Sequence, residues 1–291
     1  MIDLHLHTNS SDGTFNLEQL VKKVETAKLK AIAITDHDTV QSALKIKNLK
    51  TNIEVIPGIE ISVYDNKLNY IDLHVLGLFI DPENPKLLST LERLEKEREG
   101  QKRGIIKKLN KLGYDITYES AKKYATGSFG RPHIARALME KYPDEFTSIS
   151  DVFEKLLDQG KPAFRSRTAF FCLKEAISLI HKTHGIAILA HPMVYSDVRG
   201  YDLENVLTDF KGLGGDGIET VYNYAQNYPR HGYKEEDNVK ITKKLQLLAK
   251  KFNFLESGGS DFHGPNKGAK LGTFGLPNEF LDHLKAARKP F

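Results

Sequence analysis

Several short apolar runs in this chain stop abruptly on charged or imidazole side chains. Ala31-Ile32-Ala33-Ile34-Thr35 runs into Asp36-His37-Asp38, Ile186–Ala190 into His191-Pro192, and Glu54–Ile59 into Glu60. The opening Ile2–His7 alternates strictly, with Leu4 and Leu6 on one side and Asp3, His5 and His7 on the other. Short continuous apolar runs suit strands buried on both faces of a parallel sheet, and strict alternation suits a half-buried strand. Tyr70–Leu76, Gly217–Val221 and Phe254–Ser257 complete seven candidate strands. Helical spacing fills most of the gaps: Leu17, Leu20, Val21 and Val24, then Leu173–Thr183, Leu203–Leu213 and Glu236–Lys251. Strands alternating with helices imply a parallel sheet. Polar residues at one strand end after another favour a closed α/β barrel with a site on its C-terminal rim, over an open doubly wound sheet. The weakest point of an all-parallel reading is Asp65-Asn66-Lys67, a link short enough for a hairpin.

From residue 84 to 164 the rhythm changes. Leu87, Leu91, Leu94, Ile105, Ile106, Leu109 and Leu112 mark a charged helix or helix pair, followed by helical stretches near Tyr118–Tyr124, Pro132–Lys141 and Ser150–Gln159. The expected organisation is a barrel of residues 1–83 and 165–291 carrying an all-helical insertion, 84–164, over its mouth. At 291 residues the chain is long enough for either two domains or a barrel with an insertion. The charge, 42 basic against 38 acidic residues, is too even for a general polyanion binder, so long nucleic acid is not an expected partner. No apolar run reaches the ~18 residues of a membrane span, and Asp3 and His5 stand where a signal peptide needs apolar residues. A cytoplasmic protein with no membrane partner is expected. Its lone cysteine, Cys172, excludes a disulfide scaffold and Cys-rich metal sites. Any metal must be held by His, Asp and Glu.

Two imidazoles projecting to one side from His5-x-His7 suit one metal, although such a pair is more often ordinary surface. His74 taken alone reads as a core histidine, Asp36 or Asp38 as a helix N-cap, and Asp12 before Gly13 as a turn residue. Taken together with Glu60, His191, Asp261 and His263, independent structural explanations become improbable, because buried charges are costly unless paired or metal-bound. The oxygen and nitrogen mixture suits zinc, manganese or iron.

These residues also carry a family resemblance. His5-x-His7-Thr8 with Ser11-Asp12-Gly13, Thr35-Asp36-His37-Asp38, Gly58-Ile59-Glu60, His74, Ala190-His191-Pro192 and Ser260-Asp261-Phe262-His263 resemble, in order, the motif series of the PHP (polymerase and histidinol phosphatase) superfamily. The resemblance spans Ile2 to about Gly272 and implies a distorted (β/α)7 TIM-like barrel binding three divalent metals, manganese favoured and zinc or iron as alternatives. By motif, His5, His7, Glu60 and Asp261 would hold the first ion, Glu60, His74 and His191 the second, and Asp12, His37 and His263 the third. The segments Gly130–Leu138 and Phe153–Phe164 resemble the branch that hydrolyses nucleoside 3′,5′-bisphosphates and trims 5′ ends of short RNA. That branch makes Arg131 and His133 candidate phosphate ligands, while Arg136 fits a solvated helix face equally well. One departure stands out: Met193-Val194 occupies the place of the branch's usual Gly-Arg, and Arg165, Arg167 or Arg199 would have to compensate.

The activity so implied is hydrolysis of phosphate esters of nucleotides by in-line attack of a metal-bridging hydroxide. Glu60, His191 and Asp261 would act through the metals, and His133 is a candidate leaving-group acid. The substrate would be a phosphorylated nucleotide or a short oligoribonucleotide. The alternatives are a histidinol-phosphate-type phosphatase, disfavoured by the Arg131–Leu138 segment, an amidohydrolase, disfavoured by Glu60 where a bridging lysine is usual, and a non-catalytic nucleotide-binding module.

Overall fold

A computed structural model describes every residue except 126–128, 167–169, 266, 273 and 289–291. Two compact units result: Met1–Leu88 with Phe171–Phe291, and Ser89–Phe170. The division falls a few residues beyond each expected boundary. Leu87 is buried and Asn84 donates to the Lys182 carbonyl, which keeps this stretch with the first unit. At the other boundary Phe171 bridges Val63, and its carbonyl accepts the Tyr64 N–H.

The first unit is built on β1 (Ile2–Leu6), β2 (Ala31–Ile34), β3 (Glu54–Asp65), β4 (Tyr70–Leu78), β5 (Ile186–Leu189), β6 (Gly217–Tyr222) and β7 (Leu255–Gly259). Neighbours in sequence are neighbours in the sheet. The segment after β7 meets β1: Asp261 N–H donates to the His5 carbonyl at 2.9 Å and His7 N–H to the Phe262 carbonyl at 3.0 Å. The sheet is thus a nearly closed seven-stranded barrel. Every residue of β2 and β5 is buried, as their unbroken apolar sequences require. Side chains of β2 alternate between two clusters: Ala31 and Ala33 join Ile2, Leu4, Leu76 and Ile188, whereas Ile32 and Ile34 pack under helix α1 (Leu17–Thr26). Asn16 caps α1, its Oδ1 accepting the Gln19 N–H at 2.8 Å while Gln19 reaches back to the Asn16 N–H.

One expectation fails. The barrel is not all-parallel, because β4 runs antiparallel to both β3 and β5. The cause is the link suspected in the sequence: Asp65 Oδ1 accepts the N–H groups of Lys67 and Leu68 at 3.0 and 3.2 Å, an Asx turn that closes a hairpin. β3 accordingly continues past Glu60 to Asp65, with Ile59, Ile61 and Val63 buried on its apolar side.

In the second unit most of α2 (Pro85–Lys111) packs with α3 (Tyr118–Lys122), α4 (Arg131–Lys141) and α5 (Ile149–Val152), which runs on into a wider π-helical turn, Phe153–Leu157. No strand occurs among its described residues. Ile105, Leu109, Ile134, Leu138, Phe146 and Leu157 form its core. The charged face of α2 carries exposed i,i+4 pairs such as Arg93–Glu97 and Arg103–Glu99, which solvent screens and which contribute little. No helix among the described residues is long and apolar enough to cross a membrane.

Leu76 is fully buried in the antiparallel strand of the barrel. Leu76→Ala should cost ~2–5 kcal/mol, read as a lower urea midpoint at unchanged slope.

Candidate metal centre

Glu60 is the only polar side chain that β3 sends into the apolar run Gly58–Ile61, and five histidines converge on it. Its Oε2 lies 3.3 Å from His5 Nε2, 3.2 Å from His7 Nε2 and 3.0 Å from His37 Nδ1; its Oε1 lies 2.8 Å from His74 Nδ1 and 3.3 Å from His191 Nε2. Asp261 Oδ1 stands 3.3 Å from His5 Nε2, 3.2 Å from His7 Nε2 and 3.4 Å from His263 Nδ1. Asp12 Oδ1 approaches His263 Nε2 at 3.1 Å. All nine residues expected as ligands therefore come together on one rim of the barrel.

Strand geometry explains the convergence. β1, β2, β5 and β7 end within three residues of His7, His37, His191 and Asp261 respectively, so these four share one rim. At three of these ends the backbone turns out of the sheet with positive φ, 51° at Asp38, 31° at His191 and 55° at Asp261. Small residues make room: a Cβ at Gly259 would stand 2.5 Å from the Cβ of His5, and one at Gly13 would stand 2.5 Å from the His7 carbonyl oxygen. Asp36 is not part of the cluster. Fully buried, it accepts from the Thr8 N–H and hydroxyl at 2.7 Å each and from the Ser11 hydroxyl at 2.8 Å, so it holds the loop that carries Asp12. Asp38 accepts the Ser62 N–H at 2.9 Å.

Do these residues fit divalent metal? Buried nitrogens and oxygens normally find hydrogen bonds, yet His7 Nδ1, His37 Nδ1, His191 Nδ1 and Glu60 Oε2 have none. His5 Nε2 faces His7 Nε2 at 3.1 Å, a contact that needs either a proton or a shared cation between two bases. Three sets of donor atoms each lie within 4.8 Å of one another: His5, His7, Glu60 and Asp261; His37, Glu60 and His74; and His7, Asp12, His37 and His263. The first set is the one the resemblance gives. In the second His37 stands where His191 was expected, and His7 enlarges the third. This nitrogen and carboxylate chemistry suits divalent metal.

Without metal the cluster stores protons. Burial alone would depress His7 and His74, but Asp261 and Glu60 outweigh it for His7 and raise it to about 9. Glu60 and Asp72 raise His74 to about 10. Burial would raise Glu60 and Asp261, but the surrounding histidines hold both carboxyls well below the usual carboxylate range. For His37 burial dominates, and its imidazole falls to about 4.

Sequence reasoning missed the carboxylates behind the cluster. Glu219 is fully buried in β6, with one oxygen 3.0 Å from His5 Nδ1 and the other accepting the His191 N–H at 2.8 Å. Such a carboxylate fixes the tautomer and ring orientation of a ligand histidine. Asp72 stands similarly 3.4 Å from His74 Nε2, and the Tyr222 hydroxyl donates to Asp261 Oδ2 at 2.7 Å. The usable signal for Glu219 was a lone charge inside the apolar strand Gly217–Tyr222.

The remaining candidates, Arg131, His133, Arg136 and Arg165, belong to the helical unit. The Arg131 guanidinium lies 5.6 Å from the Phe153 ring, and His133 Nδ1 accepts the Gly130 N–H at 2.9 Å, closing the start of α4. Arg136 bonds Glu140 at 3.1 Å on an exposed face. Arg165 lies across α2 where a side chain at Gly104 would be, and its carbonyl accepts from Gln101 at 2.7 Å. Arg167 lies outside the described residues. Met193 and Val194, in place of the usual Gly-Arg, are buried in the short helix α7 (Met193–Asp197). Cys172 is no part of the core; it precedes α6 (Leu173–Lys182), partly exposed.

Comparison with known proteins decides the family. Residues 3–185 match the PHP domain. The chain belongs to the PHP domain family. A protein of Haemophilus influenzae named 5′-3′ exoribonuclease is 33% identical over 93% of this chain and 92% of its own length. A 3′,5′-nucleoside bisphosphate phosphatase of Chromobacterium violaceum is 28% identical over 92% of this chain and 89% of its own. The crystal structure of an inferred metal-dependent phosphoesterase from Bifidobacterium adolescentis shares the fold, with a TM-score of 0.75 at 23% identity over 100% of this chain and 97% of that one. This PHP chain is a hydrolase of phosphoester bonds.

Two predictions follow from the geometry. At pH 8 metal-free protein holds protons on His7 and His74, which bound metal must displace. The apparent enthalpy of manganese binding should therefore vary with the ionisation enthalpy of the buffer in titration calorimetry, with a slope of about one to two protons released. Glu219→Gln should weaken metal affinity by roughly 10–100-fold while leaving the fold intact, as read by metal-dependent activity and thermal melting.

Proposed function

We propose that this chain hydrolyses phosphate esters of nucleotides, either nucleoside 3′,5′-bisphosphates or the 5′ ends of short RNA, using up to three divalent ions with manganese favoured. The observation that carries the reading is the Glu60 cluster, in which one carboxylate is shared by five imidazoles, three of which (His7, His37 and His191) keep a buried nitrogen without a hydrogen bond. His5, His7, Glu60 and Asp261 would hold a first ion, Glu60 and His74 with His191 or His37 a second, and Asp12, His37 and His263 a third. Bound divalent ions supply a neutral-pH nucleophile drawn from water and positive charge against the phosphoryl oxygens.

The protein's own groups do the rest. Glu219 and Asp72 hold the His5 and His74 rings in register, and Tyr222 orients Asp261. Because these side chains are already held in place, the donor set would need no rearrangement as negative charge builds on the phosphoryl group. Arg131, His133 and Arg165, with Arg136 as the weakest member, are the proposed substrate contacts of the helical unit, and His133 is the proposed proton donor to the leaving oxygen. The relatives named for RNA ends and for nucleoside bisphosphates support the substrate class. A cytoplasmic setting fits that substrate.

With manganese present, adenosine 3′,5′-bisphosphate or a short 5′-phosphorylated RNA should be hydrolysed faster than histidinol phosphate or a lactone. Asp261→Ala and His191→Ala should each reduce turnover by at least ~100-fold while keeping the folded melting transition. Release of neither phosphate from the bisphosphate nor mononucleotides from the RNA, or wild-type turnover in Asp261→Ala, sinks the reading.

A further inference from the structure

Asp72 sits where a strand disfavours it. Between Val63 and Tyr64 the β3–β4 register slips, because Val63 pairs Leu73 while Tyr64 pairs Ile71. Asp72 is the extra residue of this bulge, with a positive φ of 64° that favours glycine. Its carboxylate is fully employed. Oδ1 accepts the Tyr64 hydroxyl at 3.0 Å and faces His74 Nε2 at 3.4 Å, while Oδ2 accepts from Arg199. His74 in turn stands 2.8 Å from Glu60, so the Arg199 guanidinium is two side chains away from the centre of the cluster.

Arg199 is held but not consumed. Its backbone N–H bonds the Val194 carbonyl at 3.1 Å, tying it through α7 to His191. A guanidinium carries five N–H donors, and the bond to Asp72 uses one. The side chain is 40% exposed, so a second anion can reach it. The Tyr228 phenol, raised by burial and then by Asp261 and Glu60, is opposed by Arg199, which sets this tyrosine in the field of both the cluster and the arginine.

We propose that Arg199, held by Asp72, binds an anionic group of the substrate other than the phosphate being cut. It is a specificity-determining residue, with Asp72 as its positioning residue. The inference rests on the nucleotide phosphoesterase reading and assigns it a substrate with two anionic groups. The planar fork of an arginine suits a phosphate far better than the point charge of a lysine. An ordinary rim ion pair would instead be worth little and would discriminate nothing.

The test is the ratio of kcat/KM for adenosine 3′,5′-bisphosphate to that for the better of the two adenosine monophosphates. In Arg199→Ala this ratio should fall about 10-fold or more, chiefly through KM for the bisphosphate, with Arg199→Lys between the two. Asp72→Asn, assayed at saturating manganese because Asp72 also holds His74, should lower the ratio in the same direction. A ratio in Arg199→Ala within about two-fold of wild type, or no preference in wild type, overturns the inference. Should wild type cleave none of these nucleotides, the functional reading fails by itself. Calorimetric affinity for adenosine 3′,5′-bisphosphate then decides the role of Arg199: about 10-fold weaker binding in Arg199→Ala supports it, and unchanged binding overturns it.

Discussion

A carboxylate that is 1% exposed and ringed by five imidazoles is the constraint around which this barrel is organised. Removing such a charge from water costs several kcal/mol unless partners repay it, and among the described residues the side-chain partners of the Glu60 carboxylate are the histidines of the cluster. Its position is fixed through the backbone as well. The Glu60 N–H bonds the Asp36 carbonyl at 3.2 Å, and its own carbonyl accepts the Asp38 N–H at 2.8 Å. Two neighbouring strands thus present His37 and Glu60 side by side. The hairpin presents His74: it pairs with Ser62, diagonal to Glu60 on the same face, a spacing that long side chains can close.

Much of this was legible in the sequence, because the strand signals and the chemistry coincide. Runs such as Ala31–Thr35 and Ile186–Ala190 are apolar until the rim and polar from the rim onward, so strand ends and ligand candidates were found together. The direction of β4 was legible only as a suspicion, from the short link at Asp65-Asn66-Lys67. An antiparallel strand and a parallel one have the same side-chain period, and only the Asx turn at Asp65 distinguishes them. Glu219 showed only as a lone charge in β6, with its role hidden for a different reason. Its partner His5 is 214 residues away, and nothing in the local spacing of β6 announces that pairing. Arg165 shows the same limit in the helical unit. Gly104 interrupts α2, where glycine is costly, and its reason is a side chain 61 positions further along the chain.

The acidic residues divide into two kinds that composition cannot separate. Glu60, Asp261 and Asp12 face the histidines, whereas Asp3, Asp36, Glu219 and Asp72 stand behind and hold what faces inward. Asp3, fully buried and raised to about 7 by that burial, accepts from the Ser260 N–H and hydroxyl and fastens β1 to the segment bearing Asp261. A site of this kind is specified as much by its backing as by its front.

The seam that closes the barrel is made of the same residues as the site. His5 and His7 pair through their backbones with Asp261 and Phe262. In chain order these imidazoles precede Asp261 by more than 250 residues, so the set His5, His7, Glu60 and Asp261 stays incomplete until Asp261 has been made, although Asp12, Glu60 and Glu219 come earlier. A chain cut short before Asp261 would keep the His-x-His pair while lacking both the seam and the complete donor set.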